Sequence, residues 1–63
     1  MKVTYDKEAD AMYIYLEKIK PSGAKGTVRL NDDILVDLDA KNKIIGIEIL
    51  DVSKNVDVKS FLN

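Results

Sequence analysis

Apolar and polar residues alternate with a period of two along most of the chain, the spacing that puts one side of a β-strand in a core and the other toward water. Val3 and Tyr5 mark a first strand. Met12, Ile14 and Leu16 alternate with Tyr13, Tyr15 and Glu17 in a second, and Val28 with Leu30 marks a short third. Ile34, Val36 and Leu38 alternate with Leu35, Asp37 and Asp39 in a fourth. Ile45, Ile47 and Ile49 alternate with Gly46 and Glu48 in a fifth. β-branched residues crowd these segments, as strands prefer.

A one-residue slip would turn every side chain to the opposite face, so the pattern also predicts register. A four-residue turn over Ala40 to Lys43 sets Val36 opposite Ile47 and Leu38 opposite Ile45. That register gathers Ile34, Val36, Leu38, Ile45, Ile47 and Ile49 on one face, with Ile47 at the centre of the core, whereas a three-residue turn mixes them with Asp37 and Asp39. The same test on the first hairpin pairs Asp6 with Ala11, Val3 with Ile14 and Tyr5 with Met12. Asn31-Asp32-Asp33 reads as a tight polar turn, because Asn and Asp tolerate turn conformations. Lys20 to Gly26 is the one long loop, rich in turn formers.

After Leu50 the alternation stops. Asp51, Ser53 and Asp57 are candidate helix N-caps. Val52 with Val56, then Val58 with Phe61 and Leu62, fit helical spacing, as one helix or two short turns that cover the isoleucine face. The expected fold is therefore α+β: an antiparallel meander of about five strands with a short C-terminal helix packed on one face, in a single domain over residues 1–63.

Length and charge narrow the function classes. A chain of 63 residues buries a modest fraction of its surface and gains from any extra support. It has no cysteine for a disulfide and no histidine for the usual near-neutral base or metal ligand. Ten basic residues stand against eleven acidic ones. They are dispersed, which argues against direct nucleic-acid binding through the phosphate backbone. No apolar stretch has the length of a membrane span, and the first residues do not read as a signal peptide. A cytoplasmic location is the expectation.

Two motifs carry a resemblance. Tyr5-Asp6-Lys7-Glu8-Ala9-Asp10-Ala11-Met12-Tyr13-Ile14 resembles the opening of a family of short bacterial and archaeal proteins, the domain of unknown function 2283. Ile34-Leu35-Val36-Asp37-Leu38-Asp39, followed by Ile45-Gly46-Ile47-Glu48-Ile49-Leu50, resembles its second half. Met12 stands where the family usually has leucine, a swap of similar volume. The resemblance implies the fold and a cytosolic microbial setting, with no activity and no catalytic residues to carry over. An antitoxin-like partnership with a small ribonuclease toxin is a further expectation from it.

Asp37, Asp39 and Glu48 fall at the first, third and twelfth positions of a calcium loop, but Lys41 and Asn42 occupy the fifth and sixth, where a ligand and a glycine belong. Acids decorating a hairpin are the simpler reading, and no metal or cofactor is expected. Tyr13, Tyr15, Arg29, Asp37 and Glu48 share the face away from the isoleucines, together with the apolar Leu35, Ile44 and Leu50. As a functional surface this is a partner-binding face with tyrosine anchors and a polar rim, used by a second copy of the chain or by another protein. As plain structure it is a solvated sheet face with cross-strand pairs. The chain is expected not to be an enzyme; a small-ligand site and, further off, carboxylate catalysis by Asp37 and Glu48 are the alternatives. Glu8 and Asp10 read as solvated turn acids. Gly46 marks either a bulge or close approach, or room for a neighbouring tyrosine.

Overall fold

A computed structural model describes residues 1–16, 24–57 and 59. Five strands, β1 (Lys2–Asp6), β2 (Ala11–Tyr15), β3 (Gly26–Arg29), β4 (Ile34–Leu38) and β5 (Ile44–Ile49), precede one helical turn, α1 (Val52–Asn55). All pairings are antiparallel and the spatial order is β1-β2-β5-β4-β3. The expected simple meander is thus corrected. A β1–β2 hairpin and a β3–β4–β5 meander lie side by side, joined where β2 pairs with β5. The ten or so residues between β2 and β3 are enough to carry the chain past β5 and β4, so β2 need not neighbour its successor.

The first hairpin has the expected register, with Val3 opposite Ile14, Tyr5 opposite Met12 and Asp6 opposite Ala11. Asp6 organises its turn by accepting the amides of Glu8 and Ala9 on Oδ1, and Asp10 closes it in the left-handed region at φ 52°. Asn31 does the same between β3 and β4, accepting the amides of Asp33 and Ile34 at 2.8 and 2.9 Å.

The β4–β5 turn differs from expectation. Asp39 donates its amide to the carbonyl of Lys43 at 2.9 Å, leaving a three-residue loop, and Asn42 takes φ 63°. This is the three-residue hairpin in which a left-handed residue is followed by a bulge. Leu38 pairs with Ile44, the register shifts beside Asp37 and Leu38, and Asp37 pairs with Gly46. The extra residue, Ile45, restores the phase, so Val36 still faces Ile47 and Ile34 still faces Ile49. The objection to a three-residue turn assumed an unbroken ladder; one bulge removes it.

On the apolar face the rows Val3–Ile14–Ile47–Val36–Val28 and Tyr5–Met12–Ile49–Ile34 run across the sheet. The most buried side chains are Met12, Ile45 and Val52, with Val36 at the edge of that class. Ile47 is half-buried rather than central. The described helix is a single turn, roughly 6 Å long. It is tied to the turns at Asp10 and Asp33 and buries Val52. Among the described residues the protein is mostly β, and one turn does not make a helical layer. The cover expected from Val58, Phe61 and Leu62, and most of the Lys20 to Gly26 loop, lie outside the described residues. No helix among the described residues is long and apolar enough to cross a membrane.

Two turns grip α1. Asp51 occupies the N-cap position at φ 47° without a side-chain cap bond. Asp10 supplies the cap from 43 residues away: its carboxylate accepts the Ser53 amide at 3.2 Å and the Ser53 hydroxyl at 2.9 Å, and its carbonyl accepts the Val52 amide. On the other side Asp33 accepts from Asn55 Nδ2 at 3.0 Å, with the Lys54 ammonium 3.9 Å away. Being so exposed, that ion pair adds little.

Ile45 is 1% exposed, so Ile45→Ala should cost about 2–5 kcal/mol, and Ile47→Ala clearly less. Urea denaturation of the two variants checks the order; equal losses would place the core centre back at Ile47.

Candidate interaction face

Register brings the second face together row by row. Thr4, Tyr13, Glu48, Leu35 and Arg29 form one row, and Lys2, Tyr15, Gly46, Asp37 and Thr27 the next. Tyr13 does not stand upright over its partner Glu48. It leans diagonally across β5, over Gly46, and donates its hydroxyl to Asp37 Oδ2 on β4. Thr27 on β3 donates to the other carboxylate oxygen at 2.7 Å. One carboxylate thus links β2, β4 and β3 across the width of the sheet.

Gly46 is what permits this. A Cβ built there would lie 2.6 Å from both Cε1 and Cζ of Tyr13, closer than side chains tolerate. Both readings of Gly46 hold: it borders the bulge, and its missing side chain is the floor under a tyrosine ring.

The Tyr15 ring packs against Tyr13 with centroids 4.6 Å apart and planes tilted by 56°, the offset arrangement that aromatic quadrupoles favour. The Lys2 ammonium sits 5.8 Å from the centre of the Tyr15 ring, within cation–π range. Burial, and then the bond to anionic Asp37, push the Tyr13 phenol well above the ordinary tyrosine range. The neutral phenol is therefore the form the fold holds, as a donor.

Not every residue expected on this face joins the cluster. Arg29 turns away, donating to the carbonyl of Asp32 at 2.9 Å. Ile44, 47% exposed, is paired with Leu38 of the apolar face by the bulge and falls out of line with Leu35 and Glu48. Leu35 and Glu48 are half-buried beside Tyr13. Thr27 and Lys2 are the members that the initial reading missed, although alternation along β3 and β1 already places both on this side.

The acids are committed to separate tasks. Asp39 accepts the amides of Lys41 and Lys43 at 2.8 and 2.9 Å, and those two bonds hold its carboxyl below the usual range. Asp10 is also lowered, first by the Tyr5 hydroxyl it accepts at 2.9 Å. Asp37 serves Tyr13 and Thr27. Among the described residues no three such side chains converge on a point where a metal ion would sit. A depression open to solvent, bordered by Thr4, Asp6, Ala11, Tyr13 and Glu48, adjoins the face.

Gly46→Ala should cost about 1–3 kcal/mol in the wild type, from forcing Tyr13 off the sheet. In a Tyr13→Ala background the same change should be neutral or stabilising, since glycine weakens a strand interior. Thermal melts of the four proteins read this out; an equal cost in both backgrounds would mean that Tyr13 is not the obstacle.

Comparison with known proteins places the chain in a family. Residues 2–53 match the family described as protein of unknown function (DUF2283), and the chain belongs to it. An uncharacterised protein of the archaeon Methanocaldococcus jannaschii is 46% identical over 59 residues, covering 90% of this chain and 47% of its own. The chain therefore spans about half the length of the curated relative it matches. No solved structure matches it.

Proposed function

We propose that this member of the DUF2283 family is a protein-interaction module, and that the Tyr13/Tyr15 face is the surface it presents. The observation that supports this reading is the network holding the two tyrosines. The Tyr13–Asp37 bond serves the sheet itself, and the half-buried rings that it holds in place also suit a binding face. Rings fixed before contact lose no rotamer freedom on binding, which is where much of the cost of association lies. Tyrosines with a mixed rim of Lys2, Glu48 and Asp37 and apolar Leu35 between them have the composition of an interface centre. Catalysis finds less support, since Asp37 is engaged on both oxygens and Tyr13 holds its proton firmly. Among the described residues, the small-ligand alternative rests on the open depression beside Tyr13 and Glu48.

The test pairs Tyr15→Glu with Leu35→Glu, two changes on the face that leave Tyr13 and Asp37 untouched. Immobilised wild type and double variant, both verified as folded by circular dichroism, are offered a native microbial lysate. The proposal expects specific partners on the wild type and their loss from the variant. An identical bound set on both would contradict it.

A further inference from the structure

Among the described residues the edge at β3 pairs with no further strand. All four residues of β3 are exposed, and Val28 and Leu30 remain 46% and 64% accessible on the apolar side. Natural sheets guard such edges with proline, bulges or charges that stand over them. β3 has no proline, and its one charge, Arg29, is folded back onto the Asp32 carbonyl; its one irregularity lies at the start, where Lys25 donates to the carbonyl of Leu38, the residue paired with Gly26. The opposite edge, β1, begins and ends on the charged Lys2 and Asp6, with Val3 and Tyr5 half-buried.

We infer that two copies of the chain join through β3, antiparallel about a two-fold axis at Val28, into a continuous ten-stranded sheet. The backbone sets the phase. Leu30 donates its amide to Ile34 at 2.8 Å, so Leu30 and Val28 direct their polar groups at β4, while Thr27 and Arg29 direct theirs at the open edge. Thr27 therefore exchanges both backbone bonds with Arg29 of the partner subunit, and Arg29 with the partner's Thr27. Val28 then lies opposite the partner's Val28, and Leu30 opposite the partner's Gly26.

Each of those pairs suits its position. A Cβ at Gly26 would meet nothing within 4 Å, so the space over it is free to receive a leucine. The Val28 pair closes apolar surface against apolar surface on the isoleucine side. On the other side the partner's Arg29 arrives beside Thr27, one strand from Asp37, and its guanidinium reaches that carboxylate only by leaving the Asp32 carbonyl. Self-complementarity of this kind is what an isologous interface requires.

This surface meets the tyrosine face at Thr27 and Arg29, so Val28, on the opposite face, is the position that tests it alone.

Sedimentation equilibrium of the wild type, Thr27→Pro and Val28→Lys tests the pairing. Proline at Thr27 removes an amide that faces the edge and none that faces β4, and lysine at Val28 sets two like charges together at the axis. The wild type should dimerise, and each variant, still folded by circular dichroism, should dissociate at least about tenfold more readily. A second readout uses the absence of native cysteine. Across the axis the Val28 Cα atoms would lie about 4.5 Å apart, within disulfide reach, so Val28→Cys should oxidise to a covalent dimer and Thr4→Cys on β1 should not. A wild type that stays monomeric at all concentrations overturns the inference. So does a dimer insensitive to both β3 variants, or one abolished by Tyr15→Glu instead.

Discussion

Everything in this domain depends on the seam between β2 and β5. The chain builds a two-stranded hairpin, marginal on its own, and a three-stranded meander at the lower limit of independent stability, and sequence-local turns do nothing to hold the two together. The seam carries four residue pairs from Met12–Ile49 to Tyr15–Gly46. Two longer-range devices reinforce it. Tyr13 reaches from β2 over β5 to Asp37 on β4, and Asp10 in the β1–β2 turn caps the helical turn that continues β5. Both use a carboxylate as the receiving end, and charge-assisted bonds are the stronger kind.

The two faces reach stability differently. The apolar face relies on burial, concentrated at Met12, Ile45, Val36 and Val52, and it thins toward β3, where Val28 and Leu30 stay exposed. The other face is held by direction: a hydroxyl aimed at a carboxylate, a ring laid on a glycine, a second ring tilted against the first. Such a network would keep its geometry on contact with a partner, the quality that the proposed recognition surface needs. The thin edge of the apolar face and the open backbone of β3 coincide, so the proposed second copy would satisfy both.

Much of this was legible in the sequence because period-two patterning speaks directly about faces. Strand positions, the first hairpin register, the Asn31-Asp32-Asp33 turn and the facing of Ile34, Val36, Ile47 and Ile49 all follow from alternation. Strand order does not, since a β2–β5 neighbourhood leaves no local mark. The turn at Asp39 to Lys43 was misjudged by one residue because a bulge hides inside an apolar pair, Ile44-Ile45, where either residue fits the pattern. Ile47 looked central because its neighbours in the pattern are isoleucines, yet burial is decided by what lies above the sheet. Asp10 read as a turn acid, for its partner at Ser53 is 43 residues distant. Gly46 beside a tyrosine-bearing strand was the visible sign of the Tyr13 crossing, and Thr27 could have been found by extending the same alternation.

The central claim is that the Tyr13–Asp37 bond couples the two halves of the sheet, and a double-mutant cycle measures it most directly. Tyr13→Phe removes the donor and keeps the ring; Asp37→Asn removes the charge and keeps the shape. Urea unfolding of the wild type, both single variants and the double variant gives the coupling energy. The account predicts about 1 kcal/mol or more, as a hydrogen bond to a charged group contributes. Losses that add to within about 0.3–0.5 kcal/mol, as independent sites do, would contradict it.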